Sequence, residues 1–91
     1  MTLLSESEIH KHLSNLEGWK LKGNEITKTY NHTDFIDSIS FVSRVAILAE
    51  KANHHPDILI QYNKVTLTLS THSEGGLTEN DFNLAKKIDR G

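Results

Sequence analysis

The stretch Asp57-Ile58-Leu59-Ile60-Gln61-Tyr62-Asn63-Lys64-Val65-Thr66-Leu67-Thr68-Leu69-Ser70-Thr71-His72 decides the fold. Val65, Leu67, Leu69 and Thr71 alternate with Thr66, Thr68, Ser70 and His72, the period of two that divides a strand into an apolar and a polar face. Asp57 to Ile60 reads as a partner strand, joined through Gln61-Tyr62-Asn63 as a hairpin. If the alternation persists to its end, His72 shares the polar face. The apolar face of such a pair needs cover, and the flanking sequence supplies it.

Immediately upstream, Asp34 to Ala52 is the longest periodic segment. Phe35, Ile39, Val42, Ala46 and Ala49 form an apolar stripe at helical spacing, widened by Phe41, Val45 and Leu48. Thr33 or Asp34 can cap its start. Asn53 and Pro56 mark its end, because the residue before a proline is pushed out of the α region, which leaves His55 extended. Further upstream, Trp19 to Leu21 and Ile26 to Tyr30 read as two strands about Gly23-Asn24, with Trp19 and Leu21 on one face. A short first helix begins at Ser5, where Glu8 can complete a capping box and Ile9, Leu13 and Leu16 recur at helical spacing. Downstream, Gly75-Gly76 permits a sharp turn. Thr78 then caps a last helix with Asp81 at its third position and Leu77 placed to staple onto Phe82.

The element order is α-β-β-α-β-β-α. The simplest two-layer solution is an α+β fold, a four-stranded antiparallel sheet with three helices packed on one face. The length of 91 residues predicts a single domain over 1–91. A chain this short buries only about 60 to 65% of its unfolded surface, so a partner subunit can add to stability.

Ten Lys plus Arg against twelve Asp plus Glu give a net charge of -2, and the lysines are scattered, which argues against nucleic-acid binding. There is no cysteine, which removes thiolate catalysis, disulfides and cysteine-containing metal centres. No apolar run approaches the roughly 20 residues needed to span a bilayer, and the first ten residues carry no hydrophobic signal segment. The chain is expected in the cytoplasm, with no membrane partner. Gly75-Gly76 has neither the dinucleotide-binding nor the phosphate-loop spacing, so no cofactor is expected.

The six histidines are the unusual feature. Glu50 and His54, four apart at the end of the central helix, can share a face, so the carboxylate can orient the imidazole. His55 follows, and His72 arrives from a strand end. A cleft holding these imidazoles can move protons near neutral pH. Capping and surface roles explain such residues equally well, and Asp81 in its capping position needs no substrate to justify it. Trp19 and Tyr62 suit a small core or an interface, and His10, His12 and His32 look ordinary. Zinc is disfavoured, because adjacent histidines in an extended segment diverge and no cysteine completes a closed site. No metal is expected.

Taken together, Glu50-Lys51-Ala52-Asn53-His54-His55-Pro56, Tyr62-Asn63-Lys64-Val65, Thr71-His72 and Gly75-Gly76-Leu77-Thr78 with Asp81 resemble the pterin-4a-carbinolamine dehydratase family. Gly18-Trp19, Val45-Ala46 and Ala49-Glu50 agree with that pattern, and the resemblance spans residues 5 to 89. It implies dimers, or tetramers built from dimers. It also implies dehydration of 4a-hydroxytetrahydrobiopterin, or a related 4a-hydroxytetrahydropterin, to the quinonoid dihydropterin. The family's active-site histidines correspond to His54, His55 and His72, its helix-end acid to Glu50 and its late aspartate to Asp81.

On this reading His54 is the general acid toward the 4a-hydroxyl and His72 the proton acceptor, with the roles exchangeable according to substrate stereochemistry. Glu50 orients His54, while His55, Pro56 and Asp81 contact the substrate. Ile58 departs from the tryptophan of the best-known animal members, which removes an aromatic ring near the pterin. Animal members also act as dimerisation cofactors of a homeodomain transcription factor. A binding role, or action on another reduced pterin linked to molybdopterin metabolism, is therefore the alternative.

Overall fold

In the computed structural model, which describes residues 2–90, the chain runs α1 (Glu6–Ser14), β1 (Lys20–Lys22), β2 (Glu25–Asn31), α2 (Phe35–Ala52), β3 (Asp57–Gln61), β4 (Lys64–Leu69) and α3 (Glu79–Arg90). A short 3-10 turn over His72–Glu74 separates β4 from α3. The strands form one antiparallel sheet in the order β1-β2-β4-β3. Val65, Leu67 and Leu69 of β4 and Ile26 of β2 are wholly buried under the helices, together with Val45 and Ala49 of α2 and Phe82, Leu84, Ala85 and Ile88 of α3. The opposite face is polar: Thr27 lies across from Thr68 and Thr29 from Thr66, with hydroxyl oxygens 3.3 and 3.0 Å apart. The expected α+β architecture and element order are therefore present.

Local signals set several boundaries. The Ser5 hydroxyl accepts from the Glu8 N–H while the Glu8 carboxylate accepts from the Ser5 N–H, the reciprocal pair of a capping box. The Ser5 N–H, and after it the Ser5 hydroxyl, hold the Glu8 carboxyl below its ordinary range. Gly23, at φ 62°, takes the first central position of the two-residue turn between Lys22 and Glu25, where hairpins favour glycine.

Three details differ from the sequence reading. The buried stripe of α2 runs through Ser38, Val45 and Ala49, with Phe41, Val42, Leu48 and Ala52 beside it, whereas Phe35, Ile39 and Ala46 face outward. This helix is apolar almost all round, so periodicity alone could not select the inward side. Trp19 is buried just before β1, while Leu21, opposite Ile26 on the sheet edge, stays exposed for want of a neighbouring strand. Finally, β4 stops at Leu69. Thr71 and Gly76 pair as an isolated bridge that closes a small loop through Gly75 at φ 74°, so His72 lies in a 3-10 turn and not on the strand's polar face.

Candidate active site

The end of α2 builds one wall of a small cleft. Asn53 adopts the left-handed conformation (φ 49°, ψ 45°), its N–H donating to the Glu50 carbonyl at 3.2 Å and that of His54 to the Ala49 carbonyl at 3.1 Å. This is the hydrogen-bond pattern of a Schellman closure, which reverses the chain and satisfies carbonyls left open at the helix end. The i, i+4 relation between Glu50 and His54 holds only while the backbone stays helical. Asn53 breaks it, and the expected Glu50–His54 pairing is not formed.

Two other pairs replace it. His54 Nε2 lies 2.5 Å from Asp81 Oδ1, with the imidazole 10% exposed and the carboxylate 0%. His55 Nε2 lies 2.6 Å from Glu50 Oε2, both groups reaching into solvent, 57% and 77% exposed. Asp81 therefore underlies His54 and is not among the residues that line the cleft. Its other oxygen is engaged as well. Oδ2 accepts from the Thr71 hydroxyl at 2.9 Å and from the Thr78 N–H at 2.9 Å, the second of these being the backbone half of a capping box on α3. Thr71 and Thr78, both buried, bring their hydroxyls within 2.8 Å of each other.

Asn53, His54, His55, Ser70, Thr71, His72 and Ser73 line a cleft of about 200 Å³. The three expected histidines meet there. Glu50 joins through His55, Asp81 through His54, and Pro56 is half-buried without lining the cleft. Thr71 entered the sequence reading as a strand residue and Thr78 as a helix cap, and both stand in the family pattern, but neither hydroxyl was given a role in the site. Their one legible signal was that both are hydroxyl residues beside loop positions that a reversal of the chain could bring together. Among the described residues no group of three or more His, Asp or Glu side chains is arranged to hold a metal ion.

A larger concavity of about 800 Å³ lies elsewhere, lined by Lys28, Tyr30, Arg44, Lys86, Asp89 and Arg90 among others. Structural demands account for its charges. The C-terminal parts of α1 and α3 both contribute to its wall, and cations are favoured at helix ends that expose carbonyls. Arg44 donates to the Ile88 carbonyl at 3.0 Å. Asp89 accepts from Trp19 Nε1 (2.9 Å), Lys28 Nζ (3.1 Å) and the Tyr30 hydroxyl (2.6 Å). Burial, reinforced by the bond to Asp89, pushes the Tyr30 phenol well above its ordinary range.

A two-layer α+β scaffold that gathers three imidazoles in one cleft, two of them held by carboxylates, defines a site equipped for proton transfer. The chain belongs to the pterin 4 alpha carbinolamine dehydratase family, whose model matches residues 2–91. It is 55% identical over 87 residues to a Roseiflexus castenholzii protein and 47% identical over 87 residues to one from Sulfolobus acidocaldarius. Both carry the name "Putative pterin-4-alpha-carbinolamine dehydratase", and the matches cover 96% of this chain and 94% and 96% of theirs. A crystal structure described as a transcriptional coactivator/pterin dehydratase from Brucella melitensis superposes with a TM-score of 0.93 at 40% identity, covering 98% of this chain and 97% of its own. A pterin dehydratase-like RuBisCO assembly factor of the alpha-carboxysome shares the fold at a TM-score of 0.64 and 22% identity, over 79% of this chain and 83% of its own.

Proposed function

We propose that this chain, acting as a single domain, dehydrates a 4a-hydroxytetrahydropterin, 4a-hydroxytetrahydrobiopterin in the first instance, to the quinonoid dihydropterin and water. The observation that carries this reading is the meeting of His54, His55 and His72 in one cleft, with His54 backed by a buried carboxylate. In the reaction the C4a–O bond breaks as the hydroxyl takes a proton and leaves as water. The N5–H bonding pair becomes the C4a=N5 double bond, and its proton passes to a base. His54 and His72 supply the acid and the base, each such transfer contributing about 10²- to 10⁴-fold. His55, held by Glu50, orients the ring, with Pro56 shaping the chain beside it.

Stopped-flow absorbance of freshly generated 4a-hydroxytetrahydropterin, with and without the protein, tests the reading. Acceleration proportional to protein concentration supports it; a rate equal to the buffer control overturns it.

The same proposal includes a cytoplasmic homo-oligomer, a dimer or a dimer of dimers. The outward residues Phe35, Ile36, Ile39 and Ile47 of α2 support it, Ile36 being 76% exposed. A second reading, in which this helix face binds another protein, draws on the same residues and on the coactivator description of the Brucella melitensis structure. It gains weight if purified chain binds no reduced pterin yet keeps the face covered by a partner.

A further inference from the structure

We infer that Asp81, held in place by Thr71 and Thr78, is a positioning residue that sets the tautomer of His54, making Nδ1 the atom through which this histidine exchanges its proton. The inference rests on the acid-base reading above and deepens it.

The direction of each hydrogen bond follows from the atoms available. The Thr78 N–H can only donate, and it donates to Asp81 Oδ2. The Thr71 hydroxyl has one proton and directs it to the same oxygen. Thr71 Oγ1 is then an acceptor toward Thr78 Oγ1, 2.8 Å away, so the Thr78 hydroxyl proton points to Thr71. Thr78 Oγ1 in turn accepts from the Asn80 N–H at 3.3 Å. These donors converge on one side of Asp81 and turn Oδ1 toward His54. A carboxylate accepts only, so Nε2 must carry the hydrogen. Nδ1 has no hydrogen-bond partner among the described residues and is not a buried unpartnered atom, and His54 itself lines the cleft.

Two-bond ¹H–¹⁵N correlation spectra of histidine-labelled protein, with His54 identified by its absence in His54→Gln, read the tautomer without any assay. The neutral imidazole is expected as Nε2–H in the parent chain. Thr71→Val keeps the shape but deletes the hydroxyl that fixes Asp81; it should keep the Nε2–H form, because the carboxylate still only accepts, and lower kcat by about tenfold, the scale seen when an outer partner of a metal-ligating histidine is lost, with KM little changed. Thr71→Ser restores kcat. If Thr71→Val fails to fold, Asp81→Asn tests the same wiring. With both donors still facing its carbonyl oxygen, the amide N–H₂ must meet Nε2 and force the Nδ1–H tautomer.

A parent chain in the Nδ1–H form overturns the inference. So does an Asp81→Asn that keeps Nε2–H, or a folded Thr71→Val with parental kcat. An inactive parent chain with the expected spectra overturns the dehydratase reading and leaves this wiring standing.

Discussion

Asp81 lies beneath His54 with Oδ1 2.5 Å from Nε2, its carboxylate wholly enclosed and its second oxygen shared by Thr71 and Thr78. The third residue of α3 thus caps its own helix and anchors an imidazole that follows α2. A cap position that reads as local structure ties two distant segments, 27 residues apart, into one site.

Asp81→Ala removes the acceptor for three donors that the surrounding structure keeps from water. Each stranded buried donor costs about 1 to 3 kcal/mol, so the substitution should lower stability by about 3 kcal/mol once relaxation is allowed. It should abolish most turnover. Urea unfolding with an unchanged slope and a lower midpoint checks the first effect, and stopped-flow absorbance the second.

The Glu50–His55 pair contrasts with this. Both side chains are largely in water, where ion pairs contribute little to stability and are weakened by salt. Glu50→Gln should therefore leave the thermal midpoint unchanged while lowering turnover, because His55 loses the group that orients it. A shifted midpoint with parental turnover would make the pair structural.

Tyr30 gives the chain an alkaline limit. Its phenol is held above the ordinary range by burial and then by the hydrogen bond to Asp89. When the folded value is raised, the unfolded chain loses this proton first. The associated stability is fully present below about pH 10, the ordinary tyrosine value, and is lost as pH climbs beyond it. Unfolding midpoints across pH 8 to 11 should fall above about pH 10, and Tyr30→Phe should flatten that fall.

Asn53 holds a left-handed backbone just ahead of the site histidines. A β-branched residue there pays the full steric cost of that conformation, about 1 to 2 kcal/mol, so Asn53→Ile should destabilise by that amount. Asn53→Gly, which tolerates the angle, should keep the fold and place His54 as before. Chemical denaturation checks the ordering of the two variants.

Ile36→Lys and Ile47→Lys place charges on the outward face of α2. If that face joins copies of the chain, both should shift the elution of the purified protein toward the monomer while its circular dichroism is retained. Parental elution of both would show that the face does not mediate self-association.

How much of this was legible beforehand depended on the range of the interactions involved. The capping box at Ser5 and Glu8, the alternation of Val65, Leu67 and Leu69, and the hairpin at Gly23 are governed by residues within a few positions of one another, and sequence reports them directly. The three histidines stood out as residue types suited to proton transfer, and the helix and strand ends that carry them were placed to within a few residues.

Tertiary structure decided what those groups touch. Which side of an almost uniformly apolar α2 faces inward depends on the sheet beneath it, not on its own periodicity. Whether Glu50 meets His54 or His55 depends on one left-handed residue, because helical spacing stops describing neighbours once the helix has ended. The convergence of Thr71, Thr78 and Asp81 under His54 requires the Thr71–Gly76 bridge and the packing of α3 against α2. Sequence supplied the chemical groups and their local conformations. The distances that turn them into a site are set by contacts between segments far apart along the chain.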